Sequence, residues 1–190
     1  MNDSFRQRLF DALEESIAED GYAKTTIADV VRRARTSRRT FYEHFSSKDD
    51  CFVALLTETN AEQIRQITAA VQPDAPWEAQ VRQAIEAWVA SMESRPALML
   101  SWIRDVPALG TSARMLQRDA MEHFVDMVQA LSSSAGFLAG GGGPVSRQRI
   151  IMLLGGLREL TAITVEGGGR MSDITEEGVD AAIALVGPRT

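Results

Sequence analysis

The sequence has few of the residues that hold a protein together covalently or through a metal. Its 190 residues include one cysteine, Cys51, and two histidines, His44 and His123. A single cysteine excludes an internal disulfide, and two histidines so far apart in the chain do not indicate a metal site. We therefore expect no cofactor and no metal, and a framework that rests on packing alone.

Long apolar runs are also missing. No stretch approaches the roughly 18 uninterrupted apolar residues that a membrane-spanning helix needs, and the N-terminus (MNDSFRQRLF) lacks the basic and apolar regions of a signal peptide. We therefore expect a cytoplasmic protein with no membrane partner. Hydrophobic residues nevertheless make up 45% of the chain, which is enough for one generous domain or two small ones.

The alternating pattern of half-buried strands is absent, whereas helical periodicity runs along almost the whole chain. This periodicity predicts an all-α fold of about nine helices. The predicted helices cover about residues 5–20, 27–34, 38–45, 48–72, 77–93, 96–106, 112–133, 145–165 and 176–186. Ser4 with Gln7 is the predicted capping box of the first helix, and the glycine tract 140–143 is predicted to be a flexible linker.

Positive charge is scarce overall but concentrated in one segment. The formal net charge is −6, which argues at first sight against binding to the phosphates of a nucleic acid. Between Gly21 and Lys48, however, seven basic residues face only two acidic ones, a local charge of +5 that leaves −11 for the rest. Such segregation is expected when one lobe meets DNA and the other stays solvated.

The basic segment has the pattern of a helix-turn-helix. Thr26 with Asp29 forms a predicted capping box, a connection of about three residues follows at 35–37, and Ser37 can cap a short helix starting at Arg38. On a helical wheel, Arg38, Arg39, Tyr42 and Glu43 share one side of this helix, opposite Phe41, His44 and Phe45. A free polar face opposite a packed face is what a recognition helix in the major groove requires.

The side chains in this segment have the chemistry to bind DNA. Arginine presents a fork of donors to guanine O6 and N7, and the Tyr42 hydroxyl can donate to a phosphate. Thr26 and Lys48 begin the second and fourth helices, where free N–H groups and the helix dipole favour phosphate. We therefore predict that both clamp the DNA backbone, whereas an ordinary solvated charged surface is the alternative interpretation.

The segment GYAKTTIADVVRRARTSRRTFYEHFSSKDDCF resembles the N-terminal signature of the tetracycline-repressor (TetR) family, and the similarity is dense over about residues 5 to 56. The resemblance implies a DNA-binding domain over 1–48 and a ligand-binding and dimerisation domain over 49–190. Arg35 stands where the family usually has a turn glycine, and Val31 where it usually has alanine. The residues at positions that commonly touch DNA in the family are Thr26, Arg38, Arg39, Thr40, Tyr42, His44 and Lys48.

The second domain is rich in methionine and tryptophan. Such residues usually form a core, but they also line adaptable apolar pockets between bundle helices. With the resemblance, they favour a binding site for an apolar small-molecule effector of unknown identity. The predicted pocket residues are Trp88, Met92, Met99, Trp102, Met121 and Phe124.

The last two predicted helices carry broad apolar stripes that need a partner. Mid-helix Gly155 and Gly156 are costly unless another backbone passes close by, so we predict a two-fold bundle between subunits. The predicted interface residues are Leu153, Leu157, Leu160, Val179 and Ile183.

Together these patterns predict a homodimeric repressor that binds a palindromic double-stranded operator and is released by its effector. Control by a protein partner, with no small-molecule cavity, is the alternative. An enzyme is not predicted, because the sequence shows no nucleophile paired with a base and no metal cluster.

Overall fold

The computed structural model describes residues 2–188, and within them the fold is all-helical with no strand, as the periodicity predicted. None of the described helices combines the length and hydrophobicity needed to cross a membrane. Two short 3-10 segments, Val106–Ala108 and Met171–Ile174, accompany ten α-helices. In chain order the α-helices are α1 Asn2–Asp20, α2 Ile27–Arg33, α3 Arg38–His44, α4 Lys48–Ala70, α5 Trp77–Ser94, α6 Pro96–Arg104, α7 Gly110–Leu131, α8 Ala135–Ala139, α9 Arg147–Glu166 and α10 Thr175–Val186.

The chain forms two compact units. The first contains the residues up to Thr59 together with Ala97–Leu116, and the second contains Asn60–Pro96 together with the residues from Gln117 onwards. The predicted boundary at residue 48 therefore falls inside the first unit. The physical reason is that the start of α4 is part of its core, where Phe52 is fully buried and stacks on Tyr22 with ring centroids 4.1 Å apart.

An aromatic cluster holds α3 in the first unit. Phe41 and Phe45, on one side of α3, are buried, and the Phe45 ring lies 5.6 Å from that of Phe10 on α1 and 5.8 Å from that of Phe41. Burying a large aromatic side chain contributes roughly 1.5–3 kcal/mol, and ring pairs add to this. The cluster therefore fixes which face of α3 points into the unit and leaves the opposite face exposed.

The turn between α2 and α3 contains the one described non-glycine residue with a positive φ. Arg35 has φ +50°, and the next amide, of Thr36, donates to the carbonyl of Val31 at 2.9 Å. This bond closes the end of α2 in the manner of a Schellman motif, which normally has glycine at the left-handed position. The turn thus keeps its usual shape despite the arginine. The cost is that Arg35 adopts a left-handed conformation that is strained for a residue with a side chain.

We expect Arg35→Gly to raise the free energy of unfolding by about 0.5–1 kcal/mol, since glycine removes the penalty for a left-handed side chain. Part of that gain is lost because glycine makes the unfolded chain more flexible. Urea denaturation measures the change. Arg32→Gly is the matched control, because it removes an exposed arginine inside α2 and should lower stability by about 1 kcal/mol. Destabilisation by both substitutions would contradict the strain argument.

Two local predictions are wrong. Helix α1 already begins at Asn2, so Ser4 cannot cap it, and the Gln7 side chain instead donates to Asp11 at 2.8 Å. The glycine tract is also not a free linker, because it follows the short helix α8 and packs closely. A Cβ on Gly140 would lie 2.3 Å from the Trp77 ring, and one on Gly142 would lie 2.4 Å from the Phe137 ring. Glycine is therefore needed there for close approach.

The second unit packs α10 against both α5 and α9. This packing covers the stripes that the sequence assigned to a dimer interface. Leu153 and Leu157 on α9 and Val179 on α10 are buried within the subunit, while Leu160 and Ile183 are half-buried. Three of the predicted interface residues thus contribute to the subunit's own core, because α10 packs against both α9 and α5. Their role in a dimer stays a prediction.

Candidate nucleic-acid interface and effector cavity

The start of α2 is built as predicted and presents an exposed threonine. The Asp29 amide donates to the Thr26 hydroxyl at 3.3 Å, and the Thr26 amide donates to the Asp29 carboxylate at 3.1 Å. The hydrogen bond from the Thr26 hydroxyl is the main cause that lowers the pKa of Asp29, so this carboxylate is charged at neutral pH. Thr26 is exposed at a helix N-terminus, where backbone N–H groups favour a phosphate.

The exposed face of α3 carries the residues expected to reach bases. Ser37 caps the helix, accepting from the Thr40 amide at 3.1 Å, and Arg38 is exposed in the first turn. The Arg39 side chain is 90% exposed and Tyr42 is 57% exposed. Because the opposite face of α3 is buried, these side chains project into solvent from a rigid support. Such an arrangement can place guanidinium groups against base edges.

Glu43 lies beside Arg39 on the same face. Its carboxylate accepts from the Arg39 Nε at 3.2 Å, an exposed i,i+4 ion pair. This contact uses one of the five donors of the guanidinium, and the remaining donors can form a fork. The ion pair itself adds little stability, because exposed pairs of this kind contribute only about 0.3–0.5 kcal/mol.

Thr40 and His44, also predicted to contact DNA, are half-buried. The Thr40 hydroxyl lies 3.1 Å from the Ser37 hydroxyl, and the His44 ring lies 6.3 Å from the Phe45 ring. Both therefore lie between the buried and the exposed sides of α3. Their contacts with DNA stay predictions.

Lys48 is tied into the protein to a degree that the sequence did not indicate. Its Nζ donates to the carbonyls of Tyr22 at 2.8 Å and Thr25 at 2.9 Å, and it lies 4.0 Å from the centre of the Tyr22 ring. Burial lowers the pKa of Lys48. Because an ammonium group has three donors, one remains for a phosphate. Lys48 thus joins the turn before α2 to the start of α4, and a contact with DNA would be its second role.

Tyr22 completes this network. Its hydroxyl donates to the Asp49 carboxylate, and its ring stacks on Phe52. Burial, followed by this hydrogen bond, raises the pKa of Tyr22 well above its usual range. The α1–α2 turn is therefore anchored to α4 by a neutral phenol on one side and an ammonium on the other. No sequence signal distinguished Tyr22 from an ordinary core residue.

An apolar cavity lies inside the second unit. Its volume is about 80 Å³, and almost its whole surface is hydrocarbon. Trp88 and Phe124, both predicted pocket residues, line it together with Met127. Leu153 and Leu157, which the sequence assigned to the dimer interface, also line this cavity. Helix α9 therefore contributes to the cavity wall and not only to a surface.

The other four predicted pocket residues do not line this cavity. Met99 and Trp102 belong to α6, which is part of the first unit, while Met92 and Met121 lie elsewhere in the second unit. Helical periodicity identified all of these as inward-facing but could not tell which core they enter. Trp88 and Phe124 thus line this cavity, and a role for the other four residues in ligand binding stays a prediction.

Gln80 is a buried polar residue in the cavity wall that sequence reasoning missed. Its side-chain amide donates to the carbonyls of Pro73 at 3.1 Å and Ala75 at 2.8 Å, and its oxygen accepts from the Ser134 hydroxyl at 2.8 Å. These hydrogen bonds offset the free-energy cost of burying the side-chain amide. Gln80 therefore ties the α4–α5 connection to the start of α8 and leaves the cavity apolar.

Helix α9 also exposes two large apolar side chains on a face that is distinct from its buried stripe and includes the exposed Glu159. Met152 is 57% exposed and Ile163 is 58% exposed, and Gly155 and Gly156 lie between them on the surface. A Cβ on either glycine would meet no atom of the subunit within 4 Å. Nothing inside the subunit therefore requires glycine at these two positions.

A family model described as "Bacterial regulatory proteins, tetR family" matches residues 9–55, which include α2, α3 and the start of α4. Residues 9–55 therefore have the sequence signature of the tetR family. The match covers the helix-turn-helix that was expected from the resemblance and confirms it. The tetR-family signature thus coincides with the part of the chain whose caps, aromatic cluster and exposed arginines are described above.

A curated relative is an uncharacterized HTH-type transcriptional regulator, YxbF, from Bacillus subtilis (strain 168). It is 29% identical over 131 residues, which make up 67% of this chain and 30% of the relative. The chain thus spans about a third of the length of this relative. The match shows similarity to an HTH-type transcriptional regulator over part of that protein.

Solved structures of similar fold cover nearly the whole chain. The regulator FadR from Bacillus subtilis, solved in complex with stearoyl-CoA, has a TM-score of 0.79 at 15% identity and covers 97% of this chain and 99% of its own. FadR from Bacillus halodurans has a TM-score of 0.79 at 16% identity, covering 96% and 99%. Reduced NemR from E. coli has a TM-score of 0.75 at 14% identity, covering 98% and 100%. At these identities the likeness shows a common fold.

Proposed function

We propose that this chain is a homodimeric transcriptional repressor that binds a palindromic operator through α3 of each subunit. An apolar small molecule, bound in the cavity of the second unit, releases it from DNA. The observation that carries the proposal is the exposed face of α3, with Arg38, Arg39 and Tyr42 opposite the buried Phe41 and Phe45. Recognition helices combine these two faces.

The charge distribution supports DNA as the partner. The segment from Gly21 to Lys48 has a net charge of +5 within a chain of net charge −6. Basic residues in this segment can neutralise phosphates, while the acidic remainder limits nonspecific adhesion to the duplex. Thr26 at the start of α2 and the remaining donor of Lys48 are suited to positioning contacts with the phosphate backbone.

The exposed face of α9 supports a dimer. Two glycines in the middle of a helix cost about 1 kcal/mol each relative to alanine. Since Gly155 and Gly156 have no close neighbour in the subunit, a second copy that packs against Met152 and Ile163 gives the simplest reason for them. Two-fold association would present two α3 helices to successive major grooves, about 34–36 Å apart.

The cavity supports an apolar effector. Its volume of about 80 Å³ is smaller than the roughly 150 Å³ of an apolar cavity that holds benzene, so binding must enlarge it. Met127 in its wall is unbranched and adaptable, which favours such enlargement. FadR from Bacillus subtilis, of the same fold, was solved with the long-chain ligand stearoyl-CoA. An effector-induced expansion is a natural means to alter the dimer.

Selection of genomic DNA fragments by the purified chain tests the first part of this proposal. We expect an inverted repeat bound about 10³–10⁷ times more tightly than random DNA, with affinity falling steeply as salt rises. Small apolar molecules are then screened for release of that operator. Because coupling is reciprocal, the operator should weaken effector binding by the same 5–150-fold factor by which effector weakens operator binding. Recovery of no preferred sequence, or of one without two-fold symmetry, would contradict the proposal.

A further inference from the structure

We propose that the effector enters the cavity through a surface groove between the second half of α4 and α7, and that this groove retains a polar end that is cationic or neutral. The proposal rests on the proposed function, because it takes the cavity as the effector site. It adds an outer subsite, a route of entry and a class of ligand: a molecule with an apolar body and a non-anionic end.

The groove is an open space of about 730 Å³ on the second unit. Ala61, Ile64 and Thr68 of α4 form one side, and residues of α7 that include Asp126 and Ala130 form the other. This is several times the volume of the inner cavity and falls within the range of about 300–1,000 Å³ typical of ligand sites. The groove is thus large enough for the part of a ligand that the cavity cannot hold.

Two side chains connect the groove with the cavity. Met127 and Leu131, one turn apart on α7, line both spaces. They therefore form the partition between them. A rotamer change of a methionine side chain is fast and inexpensive compared with moving a helix. Met127 can thus open the partition while the fold of the unit is kept.

The inner cavity is lined almost entirely by hydrocarbon and offers little to a polar atom of the ligand. Its polar lining residues, Gln80 and Ser132, are already engaged within the protein. Gln80 bonds to two carbonyls and to Ser134, while the Ser132 hydroxyl accepts from the Val145 amide at 3.3 Å and donates to the Gln129 carbonyl at 3.0 Å. A polar end buried there would lose its hydrogen bonds to water without replacement. Such an end must remain in the groove.

The charges around the groove select the type of polar end. Asp126 is the only acidic residue among the described lining residues, which include no lysine or arginine. Arg147 is paired with Glu122 and also attracts Asp126, so it offsets part of this charge. The second unit as a whole contains nine basic and fourteen acidic residues, a net charge of −5. An anionic end, such as a carboxylate or phosphate, would be repelled by Asp126, which shares the groove with one other ionisable residue, His123, and by the net negative charge of the unit.

Three probes that share a naphthalene body test the ligand class: 1-naphthylmethylamine, 1-naphthylmethanol and 1-naphthoate. We expect the cation to bind at least fivefold more tightly than the anion at low salt, with the alcohol between them, and the difference to shrink as salt rises. Asp126→Asn should reduce the preference for the cation about fivefold and leave the affinity for the alcohol unchanged. Asp119→Asn is the matched control, since Asp119 is exposed on the same helix but does not line the groove.

The outcomes separate this proposal from the function on which it rests. Binding of the anion as tight as that of the cation, or equal effects of the two substitutions, would overturn the groove as a charge-selective subsite and leave the cavity as effector site intact. Failure of all three probes to bind would overturn both. Titration calorimetry measures each affinity.

The entry route is tested by capping the groove. Ala130 is exposed in the groove, so Ala130→Cys can be alkylated with a bulky maleimide. The native Cys51 is fully buried, and burial raises the pKa of its thiol to about 12, so it should not react. We expect the capped variant to bind 1-naphthylmethanol at least tenfold more slowly in stopped-flow measurements, whereas capped Ala90→Cys, exposed on α5 outside the groove, should bind at the native rate. Equal rates for the two capped variants would overturn the route.

Discussion

Arg39→Ala is expected to lower operator affinity by about 2–6 kcal/mol, or roughly 30-fold to more than 10,000-fold. A bidentate contact between arginine and guanine contributes about 1–3 kcal/mol of discrimination, and a dimer loses the contact twice. Arg39 is 90% exposed, and its only described pairing is with Glu43, so its removal should leave the fold intact. Affinity for the selected operator, compared with that for random DNA, measures the effect.

Two control variants isolate the base contact. Arg114→Ala removes an exposed cation from α7 in the first unit and should change affinity only through net charge. Glu43→Gln breaks the ion pair with Arg39 but removes a negative charge from the DNA-facing side, so operator affinity should not fall. If Arg39→Ala lowers operator affinity no more than Arg114→Ala does, the placement of α3 in the major groove is wrong.

Ile163→Asp is expected to convert the proposed dimer into monomers. The substitution places a carboxylate in the apolar interface twice, once from each subunit, and should cost at least about 4 kcal/mol of association, close to a thousandfold. Since Ile163 is 58% exposed in the subunit, the monomer itself should stay folded. Sedimentation velocity measures the dimer, and the same variant should lose operator binding with an unchanged α3.

The matched control for this substitution is Leu138→Asp. Leu138 is 51% exposed and belongs to a different helix, α8, so the variant should remain dimeric. Leu157→Asp differs from both, because Leu157 is buried beside the cavity and a charge there should unfold the subunit. If the Ile163→Asp variant stays dimeric and binds the operator, the dimer interface does not lie on this face of α9.

The dimer-interface residues show where a helical pattern stops being informative. The stripe of α9 that includes Leu153 and Leu157 was recognised as needing a partner, and it has one. Within the subunit, that stripe packs against α10 and lines the cavity, and its role in a dimer stays a prediction. A periodic apolar stripe indicates that one face of a helix is buried, but it does not indicate which element packs against that face. The exposed Met152 and Ile163 are separated from it by a rotation of the helix that only the packed structure reveals.

The helix-turn-helix could be read from the sequence because its determinants are local. The Thr26 and Asp29 capping box, the Ser37 cap and the spacing of Phe41 and Phe45 lie within twenty residues, and each acts over one or two helical turns. The sequence showed that Arg35 replaces the usual turn glycine, but only the structure showed that the turn keeps the left-handed conformation at this position. The caps and the aromatic spacing, and the concentration of positive charge around them, were determined by the sequence itself.

Tertiary structure alone decided the cavity, the groove and the role of Lys48. Trp88, Phe124 and Leu157 are far apart in the chain, and nothing local distinguishes them from the core residues Met92 and Met99. Lys48 meets the carbonyls of Tyr22 and Thr25 only because α4 starts beside the turn before α2. Where space remains between packed helices depends on side-chain volumes summed over several elements, and such a sum has no signature in any one segment of sequence.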